Sequence, residues 1–259
     1  MNRMPVIFVG HGSPMNALGE NIYTRAWESF SKKFPKPRAI LSISAHWYTK
    51  GSYLTAQEFP PQIYDFYGFP QELYDIKYQV KGDKDLVERV NALVEGAHPV
   101  EEHGIDHGTW CPLRFFYPKA DVPVIQLSVN GYANAKEIIE IGRSLKSLRD
   151  EGILLFASGN IVHNLRLIDW GFKGGFDWAH EFDGAIKEAI INRDLNTLEN
   201  YEDMGESAVK SYASKEHFLP LLYAFGATDE KDSVKVFSEV FEMGAVSMTS
   251  YYWDDLGGE

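Results

Sequence analysis

The chain has 259 residues, 44% of them hydrophobic and 24% charged, with a net charge of −12. This composition suits one folded unit with a sizeable core, and its acidity and dispersed lysines and arginines exclude a nucleic-acid partner, which needs a clustered basic face. The single cysteine, Cys111, excludes an internal disulfide and points to a reducing, cytoplasmic setting.

Arg3 leads straight into a short apolar run, so no signal peptide is expected, and no later run approaches membrane length. Val6-Ile7-Phe8-Val9 reads as a buried strand that Gly10, Gly12 and Pro14 terminate. His11 is left between two glycines at the carboxyl end of that strand, where ligands bind in open α/β sheets. The flanking glycines suit a side chain that must point into a crevice with the backbone close behind it.

Residues 21–34 read as a helix with Trp27, Phe30 and Phe34 on one face, stopped by Pro35 and Pro37. The charge-free run Ala39 to Ser44 is a second buried strand, and it leads into His46. A strand–helix–strand unit makes the two strands parallel, so His11 and His46 face one crevice, at a spacing of 35 residues. The irregular, aromatic stretch 57–75, with Tyr64, Phe66, Tyr67 and Phe69, either packs over the core or lines a pocket.

Residues 83–96 form a helix in which Asp85 and Glu88 resemble a capping pair. His107 lies in Asp106-His107-Gly108, and a short helix is expected over 112–117. Residues 122–129 are a third strand, and Asn134 with Glu137 opens the next helix, closed by Gly152. Ile153 to Ser158 is a fourth buried strand that again runs through glycine toward a histidine, His163. Residues 178–192 are helical, with His180 on the polar side. His217 sits at the start of a helix whose first turn takes Pro220. Residues 234–241 and 247–253 alternate as late strands joined by a turn at 242–244. No linker or composition break appears, so residues 1–259 are read as one α/β domain. Its central sheet is largely parallel, or mixed, and flanked by helices, with a site at the carboxyl ends of the strands.

His11, His46 and His163 each follow a buried strand, and His217 sits at a loop–helix junction. Imidazole is a common ligand of iron and zinc, and three protein ligands with open positions mark a catalytic metal. No Cys-x-x-Cys or His-Glu-x-x-His occurs, which excludes zinc fingers and the common metalloproteases.

Gly-His-Gly-Ser-Pro at 10–14, Ser-Ala-His-Trp at 44–47, Asp-Phe-Tyr-Gly-Phe-Pro at 65–70 and Asp-His-Gly at 106–108 lie in order along the chain. Ser-Gly-Asn-Ile-Val-His-Asn at 158–164, Glu-His-Phe-Leu-Pro-Leu-Leu at 216–222 and Glu-Met-Gly at 242–244 follow. Together they resemble the class III, LigB-type extradiol ring-cleavage dioxygenases, in the branch of the 4,5-DOPA dioxygenases.

The resemblance implies a non-haem Fe(II) site at which a small-molecule catechol and O2 meet, giving a ring-opened semialdehyde. It implies His11, His46 and His217 as metal ligands, and His163 as acid–base residue or fourth ligand. It further implies His107 as a second acid–base group, and Ser13 with Tyr64, Phe66, Tyr67 and Phe69 at the substrate. The familiar iron triad is two histidines and a carboxylate, whereas the third position here is His217, with Glu216 and Glu242 as carboxylate substitutes. An all-histidine set also holds zinc. A zinc-dependent hydrolase using the same histidines, and a binding module whose aromatic loop docks a peptide, are the other two readings. No membrane and no obligatory protein partner is expected. No arginine stands out to bind a substrate carboxylate; Arg166 is the nearest in sequence to His163.

Overall fold

Strand β1 (Val6–Gly10) is buried along its whole length because it lies inside a sheet covered on both faces. The computed structural model describes residues 3–255. The other strands are β2 (Ala39–Thr49), β3 (Ser52–Thr55), β4 (Ala97–Val100), β5 (Val124–Asn130), β6 (Ile153–Gly159) and β7 (Ser233–Ser238). They are followed by β8 (Phe241–Glu242), β9 (Val246–Ser247) and β10 (Ser250–Asp254). Eight of them form one mixed sheet in the order β4-β3-β5-β2-β6-β1-β10-β7, while β8 and β9 make a small separate ribbon. The centre of the sheet, β5-β2-β6-β1, is parallel, as expected, and the β10-β7 edge is antiparallel.

Alternate residues of β1 enter opposite cores: Val6 and Phe8 on one side, Ile7 and Val9 on the other. On the first side lie α3 (Lys84–Leu93), α5 (Ala135–Leu145), α6 (Asp177–Asn192), α7 (Leu195–Glu199), α8 (Glu206–Ser211) and α9 (Leu219–Gly226). On the second lie α1 (Ile22–Ser31), α2 (Gln71–Asp75) and α4 (His107–Phe116). The Asn134–Glu137 capping box forms as read. For α3 the cap is instead Asp83, whose side chain accepts from Leu86 N. The short strands β3 and β4 escaped the sequence reading, being only four residues each.

Two local departures shape the site. First, α4 begins at His107, capped by Asp106, and not at Pro112. Pro112 sits inside it, and its missing N–H leaves the Gly108 carbonyl without its helical partner. That carbonyl accepts from Ser158 Oγ instead. Second, β2 continues past Ser44: Ser44 pairs with Ser128 and Tyr48 with Val129, so residues 45–47 bulge out of the β2–β5 ladder.

A Cβ on Gly10 would stand 2.7 Å from the Met248 backbone, so Gly10 admits the chain entering β10. Gly12, at φ +59, lines the cavity, and a Cβ on it would stand 2.5 Å from Met248 Sδ at the end of that side chain.

Candidate metal centre

The register of the parallel strands brings the first two histidines together. Ser158 of β6 lies opposite Val9 on one side and Ser44 on the other. His11 and His46 each lie two residues beyond that row. Period-two geometry sends both side chains the way of the row below them, and the bulge turns His46 inward. His217 arrives from the short turn before α9, held where Asn160 N donates to the His217 carbonyl at 2.8 Å.

His11 Nε2 and His46 Nε2 are 3.1 Å apart, and ligand atoms of His11, His46 and His217 all lie within 4.8 Å of one another. Ligands about 2.1 Å from one ion stand about 3.0–3.4 Å from each other, a spacing that His11 and His46 meet, with His217 close enough to complete the set. Among the described residues no carboxylate joins the three.

Each ring turns its Nδ1 outward. His11 Nδ1 is 2.9 Å from Ser158 Oγ. Because that hydroxyl donates to the Gly108 carbonyl, its lone pair is left to accept from His11. His46 Nδ1 is 3.1 Å from Asp65 Oδ2, and His217 Nδ1 is 3.4 Å from Glu216 Oε1. Outward Nδ1 contacts of this kind orient the rings and leave Nε2 free for a metal.

Electrostatics favour the neutral, ligating form of His11 and His217. Burial and the neighbouring imidazoles hold His11 well below the ordinary histidine range. Burial brings His217 down to about 4 against the opposing pull of Glu216. Burial also lowers His46, but Asp65 overrides it and the net shift is upward. Glu216 is held at about 2 because its contact with His217 outweighs burial.

The remaining predicted residues divide. His163 stacks on His217, with ring centroids 3.6 Å apart, and faces the same cavity. It does not belong to the three-imidazole group. Burial, then the charge of His217, holds it well below the ordinary range. His107 is the first residue of α4, with its Nδ1 2.9 Å from Asp65 Oδ2 and its ring 3.9 Å from that of His46. Ser13 lines the cavity and caps the turn at 14–18. Phe66 and Phe69 line it too, but Tyr64 and Tyr67 do not. Tyr64 packs behind Phe66, its hydroxyl 2.6 Å from the Ile76 carbonyl, and Tyr67 is 93% exposed at the loop tip. Neither Arg166 nor Cys111 reaches the cavity wall. Cys111 is buried, as a small hydrophobe. His180 is exposed, as expected, and sits on the cavity wall beside Phe241.

Asp65 and Ser158 were missed as individuals. Both lie inside the quoted motifs, but nothing in their spacing signals that they contact histidines. The buried Asp106 was missed as well. It accepts from Ser44 Oγ at 2.7 Å and from Thr109 N at 3.2 Å, and so fixes the start of α4 beneath His107.

A family model described as the catalytic LigB subunit of aromatic ring-opening dioxygenase matches residues 7–252. A 4,5-DOPA dioxygenase extradiol of Escherichia coli (strain K12) is 45% identical, covering 96% of this chain and 94% of its own. One of Beta vulgaris is 33% identical, with 96% of each chain covered. The crystal structure of an uncharacterized protein from Escherichia coli K12 superposes with a TM-score of 0.84 at 39% identity, covering 96% of this chain and 99% of that one.

Proposed function

The chain belongs to the family of the catalytic LigB subunit of aromatic ring-opening dioxygenases and is an extradiol ring-cleaving enzyme; from that premise we propose its substrate, its metal and the roles of its residues. The substrate is a catechol of the 4,5-DOPA type, and the metal is Fe(II), held by His11, His46 and His217. The observation that carries this reading is the set of three imidazoles within 4.8 Å, His11 and His217 buried and His46 half-buried, of which His11 and His46 turn Nε2 inward. Family membership supports it over a zinc hydrolase or a binding module.

Bound there, iron would supply the Lewis acidity and one-electron chemistry that the insertion of dioxygen requires. The protein's own groups do the rest. Phe66 and Phe69 offer flat apolar faces to the ring. His163 faces the cavity and stands outside the ligand set, so it takes a catechol proton on binding and returns one when the ring opens. His107, tied to Asp65, is the second proton-handling group at the cavity wall. The reaction needs a catechol and O2 and no protein partner. Among the described residues no helix is long and apolar enough to cross a membrane. We assign a cytoplasmic setting, whose reducing conditions suit a divalent iron and the lone Cys111.

The test is anaerobic loading with Fe(II) or with Zn(II), then exposure to air with L-DOPA at an oxygen electrode. Oxygen uptake and a yellow product with iron but not zinc are expected. No uptake with any catechol at full iron occupancy overturns the reading.

A further inference from the structure

The cavity of 1720 Å³ is far larger than a bare catechol ring requires, and its charged groups are unevenly committed. Four carboxylates line it: Asp65, Glu216, Glu239 and Glu242. Asp65 is held by His46 and His107, Glu216 by His217 and Glu239 by Lys187. Glu242 has no ion-pair partner among the described residues, and neither has Lys173, the one lysine on the cavity wall.

These two uncommitted charges are neighbours. Lys173 and Glu242 face each other in an isolated antiparallel bridge between the 164–176 loop and the β8–β9 ribbon. Directly opposed residues in such a bridge project to the same side, with Cβ atoms about 5 Å apart. Both residues line the cavity, yet their side chains do not pair with each other within 4.0 Å. The bridge is firmly built: Gly244 N donates to the Gly174 carbonyl at 2.9 Å, and Phe176 N to the Gly244 carbonyl at 2.8 Å. Tyr23 stands against Glu242, whose charge adds to burial in pushing the Tyr23 phenol up.

We propose that Lys173 and Glu242 form a subsite for the α-amino-acid head of the substrate, Lys173 taking the carboxylate and Glu242 the ammonium. A cation and an anion without ion-pair partners among the described residues, side by side on one bridge, are complementary to a zwitterion. The rest of the wall does not offer that pair. Among the described residues no arginine lines the cavity, so Lys173 is the cation available to a substrate carboxylate. It rests on the dioxygenase reading and adds to it the means of telling an amino-acid catechol from a plain one.

Four catechols test it on the iron-loaded enzyme: L-DOPA with both head groups, dopamine with the ammonium alone, 3,4-dihydroxyphenylpropionate with the carboxylate alone, and 4-methylcatechol with neither. In Lys173→Met the ratio of kcat/KM for L-DOPA to that for 4-methylcatechol falls about tenfold, as does the ratio for the propionate; this is the scale of one charge-assisted hydrogen bond. In Glu242→Gln the ratios for L-DOPA and dopamine fall instead. Lys173→Arg restores the L-DOPA ratio. Ratios that stay constant, with all four substrates moving in parallel, overturn the subsite. A wild type that takes up no oxygen with any of the four fails the dioxygenase reading instead. Anaerobic calorimetry then decides the subsite separately: L-DOPA bound no more tightly than 4-methylcatechol overturns it.

Discussion

Asp65 Oδ2 stands 3.1 Å from Nδ1 of His46. The same oxygen is 2.9 Å from Nδ1 of His107, so one carboxylate holds a metal-facing ring and a cavity-wall ring together. It also ties the aromatic loop that carries Phe66 to the metal centre. Removing such an orienting carboxylate weakens metal affinity by about 10–100-fold. Asp65→Asn is therefore expected to lose iron to a competing chelator at correspondingly lower chelator concentration. Wild-type affinity in that variant would show that the bulge in β2 alone aims His46.

Ser158 is fully buried and serves both Gly108 and His11. Ser158→Ala leaves a carbonyl and a ring N–H unpaired at once. The expected cost is about 1–3 kcal/mol in unfolding free energy, together with weaker iron binding. Denaturant titration of the metal-free protein separates the first effect from the second.

His163 lies outside the three-imidazole group. His163→Ala should keep iron affinity within a few-fold while kcat for ring cleavage falls by about 10²–10⁴. Loss of iron in step with loss of activity would make His163 a ligand after all.

Gly10 and Gly12 predict a folding defect. A Cβ at Gly10 meets rigid backbone, and Gly12 has φ +59, where a β-branched residue is strained. Gly10→Ala and Gly12→Val should each lower stability by about 1–3 kcal/mol or more, read as a fall in Tm of the metal-free protein. An unchanged Tm with weakened iron binding would show instead that these glycines clear space for a ligand.

Arg149 and Asp232, neither of which lines the cavity, form a fully buried ion pair with Nη2 and Oδ1 2.9 Å apart. Breaking it by Asp232→Ala is expected to cost about 3–5 kcal/mol. Burial alone would raise the Asp232 carboxyl, but Arg149 overrides it and the net shift is downward. An acid lowered on folding stabilises fully above its unfolded value, about 3.9, and that contribution is lost as pH falls through the folded value. Acid unfolding curves of the wild type and of Asp232→Asn should therefore converge at low pH and separate above about pH 4.

By itself the sequence determined the buried parallel strands, most of the helices between them, and the histidines at the strand ends. Runs without charge must be buried on both faces, and helical spacing of apolar residues leaves little choice of partner. Those signals are local, and so were the motifs that identified the family.

Only the tertiary structure decided which groups meet. The bulge after Ser44 depends on β2 pairing with β5. The start of α4 depends on a cap at Asp106 that is buried under Gln126 and Ser44. Asp65 and His107 are 42 residues apart, Ser158 and His11 147, and such contacts follow from packing, not from spacing. The aromatic loop shows the same limit. Its composition announces a wall, but which rings face inward depends on the turn at Gly68 and on Trp110 behind Tyr64. So Phe66 and Phe69 face the cavity while Tyr67 points to solvent.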